Sequence, residues 1–253
     1  IPLRLVGSEM CIRDRSPTGD HFDVYQKGRP YRFTSSQSLT KSWSQGLHYI
    51  YFDNGVLDST QVFTPAIIKQ YAFVATMYWD SSSSTHIMLG DERHGLTMDG
   101  ETHAYLHQSV GMRYISGLSA DNFTTSGAGS LDSDAQMSIS NGSVRDEDIS
   151  FDIKDADTPS NAFEQILDPI ANIPIIYRSG VNGDWKIDAA TTFPLKQGTS
   201  RAQWNQYSGG SWSTVDASAD DNYVAVWLFS TNNQDAPILS LIHISEPTRR
   251  RGI

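Results

Sequence analysis

The chain has 253 residues, with 19 Lys+Arg against 29 Asp+Glu for a formal net charge of −10, and it is 38% hydrophobic and 11% aromatic. An acidic balance without clustered Lys and Arg argues against nucleic acid and anionic membrane as partners, because phosphate contacts are made by basic groups. No apolar run approaches the ~20 residues needed to span a bilayer, and a single cysteine, Cys11, leaves no pair for a disulfide.

The two ends stand apart from the rest. Arg4–Arg15 (RLVGSEMCIRDR) and Leu239–Arg250 (LSLIHISEPTRR) can be encoded, residue for residue, by complementary DNA strings. That relation reads as translated sequencing adapter, so residues 1–15 and 239–253 are set aside as not natural. Without their six basic and three acidic residues, Ser16–Ile238 carries a net charge of −13 and no cysteine. The expected organisation is an N-terminal β-rich domain over 16–118 ending in a short helix, a linker over 119–130, and a β-sandwich domain over 131–238. The last is expected to lack part of its natural continuation.

In chain order, Phe22–Tyr25 and Tyr31–Phe33 flank a turn in which Gly28 can take a positive φ, which predicts a hairpin. Leu47–Phe52 (LHYIYF) reads as a strand ending at the turn Asp53-Asn54-Gly55. Ala72–Trp79 (AFVATMYW) predicts a longer strand closed by Asp80 and four serines, with His86–Leu89 returning antiparallel to it. The one helix is expected to start at Asp99, an N-cap with Glu101 in the first turn, and to stop at Gly111. Its apolar side would be Tyr105, Leu106 and Val110, while His103 and His107 share another face at spacing i, i+4. Ser119–Ser130 is poor in large apolar residues and reads as the linker. Strands are then predicted at Ala135–Ser140, Ile149–Ile153, Ile173–Tyr177, Trp185–Ile187, Arg201–Tyr207, Ser211–Val215 and Tyr223–Ser230, with turns at Asn182-Gly183 and Ser208-Gly209-Gly210. The fold class is mainly β: antiparallel β-sandwich modules with one short helix between them.

Chemistry concentrates in Asp91–His107 (DERHGLTMDGETHAYLH), which carries three histidines and four carboxylates. A zinc hydrolase helix of the H-E-x-x-H kind needs a glutamate after the first histidine, and Ala104 stands there. His94, His103 and His107, with Asp91 or Asp99, are the candidate metal ligands. The expected reading is instead a polar corner with no metal: Arg93 bonded to a carboxylate, His94 before a turn at Gly95, and the helix histidines bonded to backbone or to a partner subunit. The acidic run Asp146-Glu147-Asp148, with Asp152, Asp155 and Asp157, lacks a complete calcium loop and reads as solvated charge. Nucleophile-elbow, Walker and dinucleotide-binding glycine motifs are missing. Trp185, Trp204 and Trp212 are candidates for surface recognition of a sugar, against core packing as the alternative. Catalytic residues and cofactors are therefore expected to be none.

Gly46–Gly55 (GLHYIYFDNG), Ala75–His107 with its E-R-H-G followed by an H-x-x-L-H helix, and Asn222–Pro237 (NYVAVWLFSTNNQDAP) resemble virion structural and tail-fibre proteins of tailed bacteriophages from environmental DNA. The resemblance touches about a third of Ser16–Ile238. It implies a non-enzymatic virion component located in the phage tail, trimeric, contacting other tail proteins and a bacterial surface glycan or protein receptor. Two alternatives are a bacterial secreted carbohydrate-binding module presenting the tryptophans, and a metal-dependent hydrolase using His94, His103 and His107.

Overall fold

The computed structural model describes residues 4–5, 11–15, 20–92, 94, 96, 98–159, 163–218, 222–234, 236–242 and 248–249. The chain is mainly β and sandwich-like, with two α-helices and one 3-10 turn among the described residues. It divides into two compact units: residues 1–113 with 145–150, and 114–144 with 151–253. The boundary therefore falls earlier than the expected linker. No described helix is long and apolar enough to cross a membrane.

In the first unit, Gly46–Asp53 is the organising strand, pairing antiparallel with Val56–Thr60 on one side and Ala72–Asp80 on the other. Its alternation turns His48, Ile50 and Phe52 inward, and Ile50 and Phe52 are completely buried. Each such side chain contributes about 1.5–3 kcal/mol relative to exposure. The turn into Val56–Thr60 has Asn54 at φ 50 and Gly55 at φ 78, the two positive values that a type I′ hairpin requires. Thr85–Asp91 completes the sheet, and the hairpin Phe22–Gln26/Arg29–Phe33 adds Phe22 and Val24 to a core with Trp43, Val74, Met77, Trp79 and Leu89. All these elements follow the predicted ones except Val56–Thr60, which was not predicted. Helix α1, Pro65–Lys69, was not expected; at five residues it is too short to show a period.

The second unit holds a four-stranded sheet in the order Asp184–Thr191, Ile173–Ser179, Ile238–Ile242, Val226–Ser230, and a hairpin Gln203–Ser208/Ser211–Asp216. Its main core gathers Met137, Ile139, Ile153, Leu167, Ile173 and Ile238.

Three features bear on the expectations. Ala120–Thr125 is not linker but a strand antiparallel to Ala135–Ile139. Asp134 Oδ2 accepts from the backbone N–H groups of Gly129, Ser130 and Leu131 at 2.9, 2.8 and 3.1 Å, which folds the small-residue segment back as a turn. The expected antiparallel architecture holds, with a parallel pairing of Ile173–Ser179 and Ile238–Ile242 inside it. Third, the C-terminal segment set aside as adapter supplies an interior strand: Leu239, Ser240 and Ile242 are 3%, 0% and 0% exposed. An alternating, β-branched run such as LSLIHI has the propensity to join a sheet whatever its origin. At the other end, the backbone of Cys11–Arg15 pairs with Gln37–Thr40; residues 1–3, 6–10, 243–247 and 250–253 lie outside the described residues.

Candidate metal centre

Helix α2, Gly100–Ser109, begins where Asp99 Oδ1 accepts from the N–H groups of Glu101 and Thr102, both at 3.0 Å. Only glycine fits at its first position, because a Cβ on Gly100 would fall 2.3 Å from Lys69 O. The helix stops at Gly111, whose φ of 54 and N–H bond to Leu106 O form a left-handed end. The face it buries is the reverse of the expected one. Tyr105 is 66% exposed, while His103 and Ala104 are buried.

Carboxylates explain the reversal. Glu92 extends the Thr85–Asp91 strand, its N–H donating to Val74 O at 2.8 Å. Glu92 Oε1 lies 2.9 Å from His103 Nε2 and 3.1 Å from both His94 Nε2 and His107 Nε2. His103 Nε2 and His107 Nε2 are 2.8 Å apart. On the outer side, His94 Nδ1 bonds Asp148 Oδ1 at 3.0 Å, and Asp148 Oδ2 accepts from Leu96 N at 2.9 Å. Glu147 Oε1 faces His107 Nδ1 at 3.0 Å. Glu147 reaches this place from a turn at φ 51, a left-handed conformation costing about 1–2 kcal/mol for a non-glycine residue. Strain of that kind at a polar cluster points to a functional constraint.

The protons do not suffice for these contacts. His94, held protonated by Glu92 and Asp148, donates from Nδ1 to Asp148 while its Nε2–H faces Glu92 Oε1 without an aligned bond. Between His103 and His107, protons on both Nε2 atoms serve Glu92 but set two N–H groups against each other at 2.8 Å. Removing one of them lets the two rings share a proton but takes a donor from Glu92. Glu147 is buried, its side chain 3% exposed, and among the described residues neither of its oxygens nor His94 Nε2 makes an aligned hydrogen bond. The 3.0 Å approach of His107 Nδ1 to Glu147 is thus an ion-pair contact rather than a hydrogen bond.

Without a metal, charge is shared by shifting pKa values. Burial works to lower His94, but its contacts with Glu92 and Asp148 outweigh this and raise it to about 9. His107 is raised by Glu92 in the same way, against burial. Glu92 is lowered: burial opposes this and the three imidazoles around it prevail. Burial raises Glu147, while His94 and the Leu96 N–H hold Asp148 down against burial.

One ligand atom from each of Glu92, His103, His107 and Glu147 lies within 4.8 Å of all the others. No family model, curated protein or solved structure matches the chain. The centre therefore has to be read from its own atoms. Imidazole nitrogens and carboxylate oxygens form a donor set suited to zinc and its first-row neighbours. Tetrahedral zinc with bonds of ~2.0–2.1 Å separates its ligand atoms by about 3.3 Å. The Nε2 and Oε1 atoms are a few tenths of an ångström inside that spacing, a rotamer adjustment from it.

Of the candidate ligands read from the sequence, His103 and His107 belong to the convergent set and His94 adjoins it through Glu92, while Glu92, Glu147 and Asp148 were not placed with them. Of its other candidates, Asp99 is the helix cap and Asp91 is not among the convergent ligands. Arg93 and Gly95 lie outside the described residues. Asp146-Glu147-Asp148 is not simply solvated charge, because its second and third members turn to the histidines. Strand alternation favours Glu92 over Asp91 for the face opposite the core, a usable signal; no linear signal joins residue 92 to residue 147.

The tryptophans do not form an open platform. Trp204 is buried at 6% exposure. The Arg178 guanidinium sits 4.7 Å from the Trp185 ring and 5.4 Å from the Trp212 ring, covering one face of each.

Proposed function

We propose that the first unit is a divalent-metal-binding module, with His94, His103, His107 and Glu92 as ligands and Glu147 a further carboxylate within reach. The observation that carries this is the convergence of three Nε2 atoms on one Glu92 oxygen, with His103 Nε2 and His107 Nε2 only 2.8 Å apart. A doubly charged cation there would take a lone pair from each of these groups in place of the protons. Asp148 then acts through His94, fixing the ring so that Nε2 faces the ion.

The test is zinc titration of chelator-stripped full-length chain by calorimetry, with metal content measured after desalting. One equivalent is expected, and the double substitution His103→Ala/His107→Ala should weaken binding at least 100-fold. Retention of parental affinity by that variant would overturn the assignment.

For the whole chain, a virion structural role is a separate proposal. It is supported by the tail-fibre resemblance of Gly46–Gly55 and Ala75–His107 and by the mainly β architecture, and a structural metal is compatible with it. Mass spectrometry of purified virions encoded by the assembled gene cluster tests it; absence of the protein from the particles would reject it.

A further inference from the structure

A cavity of about 480 Å³ lies within the first unit, and His94 and His103 belong both to its wall and to the metal cluster. That size suits a small organic molecule. The remaining wall is apolar where Tyr71, Phe73 and Met98 line it and basic where Lys27 does. Asp99 also lines it, but its carboxylate is engaged by the N–H groups of Glu101 and Thr102 and by Thr102 Oγ1 at 2.9 Å. His107 and Glu147 do not line the cavity, so the ion would have a protein-filled side and a side facing open space.

From this placement we propose that the metal keeps a coordination position toward the cavity, and that the cavity takes a small oxyanion, such as a carboxylate, on an apolar or aromatic body. The inference rests on the metal reading above. The oxyanion would bind the ion as a further ligand between His94 and His103, the two cluster residues that line the cavity. Lys27 supplies positive charge on that wall, and the body would pack on Tyr71, Phe73 and Met98. A closed structural site would instead surround its ion with protein on every side.

Cobalt(II) reports the difference, because its visible absorption changes with coordination number. The full chain loaded with one equivalent of cobalt is titrated with sodium benzoate and, separately, sodium acetate, with cobalt content checked after desalting. A saturable spectral change is expected for both, with benzoate at least tenfold tighter. Leu96 lines the same cavity and is 70% exposed. Leu96→Trp should fill the space and weaken benzoate at least tenfold, while cobalt affinity stays within twofold. Bound cobalt whose spectrum ignores benzoate would overturn the open position and leave the metal reading standing. Equal response of parent and Leu96→Trp, or of benzoate and acetate, would overturn the cavity as the ligand's seat. Failure to bind cobalt at all would sink the metal reading, and this inference with it.

Discussion

His103 Nε2 and His107 Nε2 lie 2.8 Å apart, one helical turn from each other on the buried side of α2. Two imidazoles at that distance hold one proton between them or share a cation. The choice has a thermodynamic consequence: a metal bound only by the folded state stabilises it by RT ln(1 + [L]/Kd), about 2.7 kcal/mol at a hundredfold excess over Kd. Saturating zinc should therefore raise the urea midpoint of the parent and leave His103→Ala/His107→Ala unmoved. A variant that gains as much from zinc as the parent would place the ion elsewhere.

The pH dependence of the metal-free protein follows from the same groups. His94 and His107 are raised in the folded state, so their contribution is fully present below their ordinary value of 6.5 and is lost as pH rises through the folded values, about 9 for His94. Glu92 is lowered, so its contribution is present above its ordinary 4.5 and is lost as pH falls. Glu147, raised by burial, opposes folding once it ionises. Metal-free stability should peak between about pH 4.5 and 6.5 and decline toward pH 9. Zinc affinity should rise over that same upper interval, because ligation requires neutral imidazoles. Denaturation at pH 6 and pH 8.5, with and without zinc, checks both slopes; metal-free stability increasing from 6 to 8.5 would contradict the ion-pair geometry.

Glu147 separates strain from ligation. Its φ of 51 is comfortable only for glycine, and its carboxylate is buried. Glu147→Gly should stabilise the metal-free protein by about 1 kcal/mol through relief of the left-handed backbone, while weakening zinc. Glu147→Gln, which keeps the strain, should weaken zinc without that gain. If both variants bind zinc like the parent, Glu147 is no part of the centre.

Much of the fold could be read from local chemistry, and the reasons differ by element. Lys27-Gly28, Asn54-Gly55 and Gly209-Gly210 all take the paired positive φ values of tight hairpins; the last two were legible because the residue types that tolerate such φ values are few, and the first through Gly28 alone. Ala120–Thr125 was not, because its pairing depends on Asp134, a single acceptor nine residues beyond the strand. The helix was legible at both ends yet inverted in facing, since periodicity ranks Tyr105 and Leu106 as apolar and says nothing of carboxylates arriving from residues 92 and 147. The histidine half of the centre is a feature of sequence; the carboxylate half is a feature of topology.

The C-terminal strand gives the sharpest conflict between sequence and structure. Read as translated adapter, Leu239–Arg250 would make no specific contribution, and Ser16–Ile238 would melt like the full chain. In the structure, Ile238–Ile242 lies between Ile173–Ser179 and Val226–Ser230, hydrogen-bonded to both, and Ser240 Oγ donates to Pro194 O at 2.6 Å in a buried position. Removing the strand exposes two edges and uncovers core residues. Ile242, fully buried, is the cleanest probe, since truncating a buried isoleucine to alanine costs about 2–5 kcal/mol. Ile242→Ala should therefore lower the stability of the second unit by at least 2 kcal/mol, and deletion of residues 239–253 should lower it further. The first unit's zinc-dependent transition should not move in either variant, which guards against a general loss of folding. A change below about 0.5 kcal/mol for Ile242→Ala, the range of ordinary surface substitutions, would show that the strand does not hold this place in solution and would restore the expectation that the tail is inert.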